Sequence, residues 1–483
     1  MTPQVQTYKF FLNGKWATST ETFELINPAS GETIGHVPRT GKEEVREAIE
    51  VARKAFESPA WREMEQTKRG KILMQIGALM REHFDEVSKL ETLNQGKPLR
   101  ESKADVAWAI RVFEYWGGAA DKIQGETIPV TPNRLTYTLR EPLGVTAHII
   151  PWNYPLALGT RSLAPALAAG NTVVAKPAEL TPLTLLKVAE FAQKSGLPDG
   201  VLNIITGSGS VVGRELVSSP NVDGITFTGS TETGHQIMET AAKSITPVLL
   251  ELGGKNPNII FPDADMQRAV QMAKYAIFTN AGQMCWAGSR LFLHEDIYEK
   301  FLGELKKQTE QIKLGPGLDE KTELGPMVSK EQQQRVLGYV KSGLEDGAKL
   351  ITGGQTPDDP ALRNGFFVKP TIFADVSSTM KIGCEEIFGP VLAVFRFSKA
   401  EEVVRMANET QFGLYAGVWT NDLKLAHRVV GALQAGVVAV NDYLVAYPQT
   451  PFGGYKDSGI GYENGLQAIS HYTRIKSVTI NVS

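Results

Sequence analysis

The period of the apolar positions changes several times along the chain, and each change predicts a different element. Phe10-Phe-Leu-Asn-Gly-Lys-Trp16 reads as a hairpin closed by an Asn-Gly turn, and Asn27-Pro-Ala-Ser-Gly31 as a second turn between strand-like pieces. Val45, Ala48, Ile49, Ala52, Ala55 and Phe56 then recur at helical spacing, and Ile72, Leu73, Ile76, Leu79 and Met80 repeat the pattern. Over residues 125–140 the pattern alternates, with Leu135, Tyr137 and Leu139 set against Thr136 and Thr138, which predicts a strand with one polar face. Val478-Thr-Ile-Asn-Val482 alternates in the same way, and both stretches fit ordinary edge strands.

Between Gly144 and Gly253 strand and helix patterns take turns. Strands are expected at 145–150, 172–175, 202–205, 225–227 and 248–250, and helices at 158–169, 183–194, from 211, and at 232–243. Such βαβ succession implies an α/β fold with a parallel, doubly wound sheet that binds ligands at the carboxyl ends of its strands. A second α/β succession follows, with strands at 258–261 and 290–293 and helices at 266–278 and 331–345. The boundary falls near Gly253-Gly254, and a cleft between the two halves is a natural site.

With 483 residues the chain is long enough for two or three domains. A net charge of -3 gives no reason to expect nucleic acid or an anionic membrane as partner. Its two cysteines, Cys285 and Cys384, exclude a disulfide framework and point to a reducing, cytoplasmic setting. No secretory leader is visible and no apolar stretch approaches the roughly 20 residues of a membrane span. The seven histidines stand singly without metal-ligand spacing, so no catalytic metal is expected.

Three residues carry candidate chemistry. Cys285 lies in the glycine-bounded Asn280-Ala-Gly-Gln-Met-Cys-Trp-Ala-Gly-Ser-Arg290, a candidate nucleophile that also fits a small buried side chain. Glu251 sits inside the apolar run Val248-Leu-Leu-Glu-Leu, where loss of water raises a carboxyl toward the range of a general base. The Asn153 amide stands between two prolines at the end of an apolar strand, a fixed donor suited to an oxyanion. Two strand-to-helix turns, Gly207-Ser-Gly-Ser-Val-Val-Gly213 and Gly229-Ser-Thr-Glu-Thr-Gly234, offer backbone N–H groups to a phosphate, although neither is a G-x-G-x-x-G turn.

Pro151-Trp-Asn153, Phe227-Thr-Gly-Ser-Thr231, Leu250-Glu-Leu-Gly-Gly-Lys255, Gly282-Gln-Met-Cys285, Glu385-Glu-Ile-Phe-Gly-Pro390 and Pro451-Phe-Gly-Gly-Tyr-Lys456 together resemble the ordered motifs of the NAD(P)-dependent aldehyde dehydrogenase superfamily. The resemblance spans nearly the whole chain. It implies a Rossmann-like NAD-binding domain (1–123 and 143–253), a catalytic α/β domain (254–453) and a small β oligomerisation arm (124–142 and 470–483). It further implies an aldehyde substrate, NAD favoured over NADP, and a homodimer or homotetramer. Cys285 becomes the nucleophile, Asn153 the oxyanion donor and Glu251 the base. Ile150, Trp152, Lys176, Glu179, Gly229, Ser230, Leu252, Glu386 and Phe388 become cofactor residues. An acidic Glu179 accepts from both ribose hydroxyls and repels a 2′-phosphate, while the neighbouring Lys176 tempers that preference.

The chain departs from the family pattern near the expected substrate tunnel. Trp286 replaces the usual small residue after the nucleophile, and Arg161-Ser162 stands where an aromatic followed by a lysine is common. Tyr462 replaces the usual arginine before Glu463. Tyr154, Arg161, Trp286 and Tyr447 are the tunnel candidates. Arg161 fits a contact to a substrate carboxylate, as in succinic semialdehyde dehydrogenases, and fits equally an ion pair within the protein. Tyr154, Trp286, Tyr443 and Tyr447 fit an aromatic wall or a cation cage like that of betaine aldehyde dehydrogenases, which Arg161 opposes. A neutral aliphatic or aromatic aldehyde is the leading expectation. A semialdehyde, an amino or betaine aldehyde, a CoA-acylating variant and a non-catalytic member of the fold are the alternatives.

Overall fold

The computed structural model describes residues 5–483. Its first large sheet has the strand order Gly459–Ile460, Val248–Glu251, Gly224–Thr228, Val145–Ile149, Thr172–Lys176, Leu202–Ile204, Phe10–Leu12, Lys15–Ala17. The five central strands run parallel, and the outer pairings are antiparallel. Asn13 and Gly14 both have positive φ, 51° and 70°, as the tight hairpin turn between the last two strands requires.

Helices cover both faces of this sheet. Lys42–Glu57 places Val45, Ala48, Ile49 and Ala52 against one face, each buried apolar side chain larger than Ala contributing roughly 1.5–3 kcal/mol. Gln66–Glu82, Leu99–Ala119, Pro155–Ala169 and Leu183–Lys194 pack on the other. The helix expected from 158 begins earlier, because Pro155 takes a first-turn position where its missing N–H is no loss. The helix expected from 211 opens as a wide turn, Gly209–Gly213, and becomes α-helical only over Arg214–Ser218.

A second sheet runs in the order Lys349–Thr352, Thr371–Ala374, Val391–Phe397, Arg290–His294, Pro257–Ile260, Tyr415–Trp419, Val437–Val440, and is parallel apart from its first strand. It is built around its own apolar core. A third, three-stranded sheet joins Thr127–Ile128, Arg134–Pro142 and Thr473–Asn481. Nine residues of the last two strands pair in antiparallel register. Here the alternation resolves against simple expectation: Thr136 is buried, facing Thr479 with hydroxyls 3.1 Å apart, while Leu135 and Leu139 are 43% and 41% exposed. Among the described residues no helix is long and apolar enough to cross a membrane.

Candidate active site

Within the first sheet the chain moves outward from Val145–Ile149 in one direction and then returns to place Gly224–Thr228 on its other side. That reversal opens a crevice at the carboxyl ends of these two neighbouring strands. The segments that follow them, Ile150-Pro-Trp-Asn153 and Gly229-Ser230, lie there. A crevice of about 200 Å³ is lined by Trp152, Asn153, Gly229, Ser230, Leu252, Cys285, Glu386 and Phe388. Ser230 caps the helix Thr231–Ala241, its hydroxyl accepting from the Thr233 N–H. The helix start therefore presents its dipole to the crevice, a fit for phosphate.

Other contacts hold the crevice walls. Glu386 accepts from the Gly254 N–H at 3.0 Å, and burial pushes its pKa up to about 7. A side chain on Gly253 would collide with this carboxylate, so the glycine permits the approach. Phe388 adopts φ 59°, with its carbonyl held by Gln332 Nε2 at 2.8 Å, and its ring stands edge-on to Trp152 at 5.2 Å. Ile150, Lys176 and Glu179 do not line this crevice. Ile150 is buried beyond the strand end, donating to Lys176 O at 3.0 Å. Lys176 Nζ donates to Pro177 O and Gly207 O, and burial lowers its pKa to about 8. The half-exposed Glu179 lies 3.9 Å from Arg39.

On the other side of Cys285 a tunnel of about 220 Å³ is bounded by Tyr154, Arg161, Trp286 and Phe452, with Glu101, Asp105 and Trp108 contributed by the helix Leu99–Ala119. Trp286 packs edge-on against Tyr415 and Phe452, so its size shapes the wall instead of filling core elsewhere. Tyr447, expected in the tunnel, is not part of its lining. The residue is 49% exposed, and Leu444, Ala446 and Phe452 occupy that side. Arg161 reaches the wall, but its guanidinium is ion-paired with Glu463 and lies 4.0 Å from Glu251. The intramolecular partner is thus the one it has found. Tyr443 lies beneath the wall, buried, with its ring against Tyr415.

The loop carrying Cys285 is strained and tightly held. Asn280, Ala281 and Gly282 follow one another with φ of 48°, 52° and 71°. The two non-glycine residues in this left-handed region cost about 1–2 kcal/mol each. Compensating contacts come from several elements. Glu101 accepts from the Asn280 N–H at 2.8 Å, Asn280 Nδ2 donates to Asn153 O at 2.9 Å, and Gln283 Oε1 accepts from Val328 N at 2.9 Å. Asn153 Nδ2 donates one N–H to Gln283 O at 3.0 Å, which fixes the amide and leaves its second N–H for another acceptor. A Cβ at Gly282 would sit 2.1 Å from Gly389 O. Gly282→Ala is therefore expected to lose about 2–4 kcal/mol of stability, read by denaturant unfolding, together with most thiol reactivity; a wild-type midpoint would refute the close approach.

Burial dominates the titration of the reactive groups. Loss of water pushes the Cys285 thiol up to about 12, with Arg161 acting in the opposite direction and Glu251 and Glu386 adding to the rise. Glu251 is 1% exposed and well above the usual carboxylate range for the same reason, opposed by Arg161 and reinforced by Glu463. Among the described residues no group of three or more His, Cys, Asp or Glu side chains is placed to hold a metal. Cys384 donates weakly to Met380 O, and Lys456 Nζ ties down Asn408 O and Thr410 O, a scaffold contact.

Sequence reasoning missed the acidic face of Leu99–Ala119. Glu101, Asp105 and Trp108 recur at helical spacing, a visible signal that acids would share a buried face with an aromatic. It also missed Lys97, buried 2.6 Å from Asp105 and stacked 3.8 Å from the centre of the Tyr154 ring.

A thiol where the crevice of a doubly wound sheet meets an aromatic-walled tunnel, with a fixed amide donor lining both and a buried carboxylate whose charge acts on it, fits an enzyme that binds a nucleotide next to a nucleophile. The family model described as "Aldehyde dehydrogenase family" matches residues 16–478, and the chain belongs to that family. It is 46% identical to a betaine aldehyde dehydrogenase of Bacillus subtilis, an alignment covering 98% of this chain and 97% of the relative. It is 44% identical to a hydroxyisobutyraldehyde dehydrogenase of Mycolicibacterium austroafricanum, over 98% and 93% of the two chains. The NAD+ complex of an aldehyde dehydrogenase from Bacillus cereus superposes with a TM-score of 0.97 at 43% identity, covering 99% of this chain and 97% of that one.

Proposed function

We propose that the chain oxidises neutral aliphatic or aromatic aldehydes to carboxylic acids, with NAD as hydride acceptor. The observation that carries this reading is that crevice and tunnel share only two lining residues, Cys285 and Asn153. The aldehyde occupies the tunnel, and the Cys285 sulfur attacks its carbonyl. The resulting oxyanion is received by the second N–H of Asn153 and by the Cys285 backbone N–H, which already faces its own sulfur.

Bound NAD supplies the hydride acceptor. Trp152, Leu252, Glu386 and Phe388 enclose the nicotinamide end, Gly229 and Ser230 take the pyrophosphate, and Ile150, Lys176 and Glu179 serve the adenosine end. Glu179 favours NAD over NADP, and Arg39 beside it leaves NADP as a weaker acceptor. Loss of hydride leaves a thioester on Cys285. Glu251 then removes a proton from water, whose oxygen bonds to the acyl carbon as the C–S bond breaks. A buried base beside the thiol supports hydrolysis over transfer to CoA, and a thiol–base pair has no use in a non-catalytic member of the fold.

A cationic aldehyde is the second reading. Glu463 neutralises Arg161, which removes the repulsion expected from sequence, and Glu101 adds an acidic group to an aromatic wall, whereas Asp105 is neutralised by Lys97. The semialdehyde reading loses its anchor for the same reason. Across a panel of neutral, trimethylammonium-bearing and carboxylate-bearing aldehydes, kcat/KM is expected to be highest for neutral ones, with carboxylates lower by about 10-fold or more. A carboxylate-bearing aldehyde as best substrate would refute this.

The three sheets support the division into a cofactor domain, a catalytic domain and an arm with the boundaries given above. The outward Leu135 and Leu139, joined on the paired strand by Ile480 directly opposite Leu135, support burial against another copy in a homodimer or homotetramer. Two free thiols support a cytoplasmic location.

A further inference from the structure

Arg161 is the only charged residue of the helix Pro155–Ala169, which is buried along nearly its whole length. A guanidinium whose side chain is 6% exposed requires anionic partners. Glu463 is one, with a side chain 1% exposed, and it is fixed because its backbone N–H and carbonyl both bond to Phe452, at 2.8 and 2.7 Å. The Phe452 ring closes the remaining side, 5.1 Å from the guanidinium carbon. This leaves Nη2 directed toward Glu251 at 4.0 Å. Neither Glu251 oxygen has a hydrogen-bond partner in the protein. Among the described residues Arg161 is thus the one cation within ion-pair distance of that carboxylate.

We propose that Arg161 is a positioning residue for thioester hydrolysis: clamped by Glu463, it holds the Glu251 carboxylate beside Cys285 and takes no part in binding the substrate. The proposal rests on the roles given to Cys285 and Glu251 above. In the hydrolytic step a water proton passes to Glu251, the water oxygen bonds to the acyl carbon, and the C–S electrons return to sulfur. Without Arg161, two buried carboxylates would face one another with no cation between them. Such a pair retains a proton, and Glu251 no longer accepts one from water. The acylating step is affected less. Cys285 loses a favourable charge, but it also loses the opposing charge of Glu251.

The test is rapid mixing of the full-length enzyme with NAD and propionaldehyde, comparing wild type, Arg161→Met, Arg161→Lys and Cys285→Ala. Acid-quenched samples are weighed for the acyl-enzyme. Arg161→Met is expected to give a burst of NADH with an accumulated acyl adduct, followed by turnover slowed by about 10-fold or more. Arg161→Lys is expected to restore part of that turnover, and KM for neutral and carboxylate-bearing aldehydes to change in the same proportion. Loss of burst and turnover alike, or a rise in KM confined to the carboxylate-bearing aldehyde, would overturn the proposal. Should Arg161→Met fail to fold, Arg161→Lys decides by the same criterion: slowed hydrolysis with a retained burst supports it, and uniform loss overturns it. Activity retained by Cys285→Ala would instead refute the underlying mechanism.

Discussion

Cys285→Ala is expected to abolish NAD reduction with every aldehyde, by about 10⁴-fold or more, since a nucleophile and its base act as a unit. No other thiol can substitute: Cys384, the remaining cysteine, lies outside both cavities. The fold should survive, because the side chain is small and half-buried and its deletion leaves little space. Steady-state NADH formation, paired with a thermal unfolding midpoint, separates lost chemistry from lost structure. The wild-type rate should also climb with pH between about 6 and 9. A thiol whose folded pKa is raised to about 12 is mostly protonated there, so each rise in pH increases the reactive thiolate. A rate that falls over this range would contradict the assignment.

Glu251→Gln carries the second largest effect. Gln keeps the shape and removes the base, so turnover is expected to fall by about 10²–10⁴-fold. The first turnover, which needs only sulfur and hydride acceptor, should persist as a burst with accumulated thioester. The wild-type hydrolytic step should rise with pH, because the base form of a carboxyl held above its usual range grows as pH increases. Loss of the burst together with turnover would mean that Glu251 acts before hydride transfer.

Much of this was legible in the sequence, and the gaps have physical causes. The doubly wound succession could be read because parallel strands buried on both faces leave apolar runs such as Thr172–Lys176, bounded by helices of clear period. The helices Leu183–Lys194 and Met266–Phe278 end where the pattern ends. Alternation at Arg134–Pro142 predicted a strand but not its orientation, since period two alone does not say which face meets protein.

At the site, residues joined by local motifs could be read, whereas those joined by tertiary approach could not. Glu101 meets Asn280 across 179 positions of sequence, and Glu463 reaches Arg161 from near the far end of the chain. Arg161 illustrates the limit. Its residue type allowed two partners, and only the packing of Phe452 and Glu463 selects between them. Tyr447 offers the sequence only its aromatic ring as a reason to line the tunnel, and the turn at Tyr447–Thr450 leaves it exposed.

The meeting of two cavities at Asn153 and Cys285 has a consequence for traffic through the enzyme. With dinucleotide in the crevice and aldehyde in the tunnel, as proposed above, the two reactants would reach the sulfur by separate doors, and neither would have to pass the other. The acid can depart by the tunnel while the reduced dinucleotide still occupies its crevice, so chain length in the aldehyde governs congestion at one door only. Selection for new aldehydes can thus remodel Trp286, Phe452 and the Leu99–Ala119 face while leaving the route of the dinucleotide as it is.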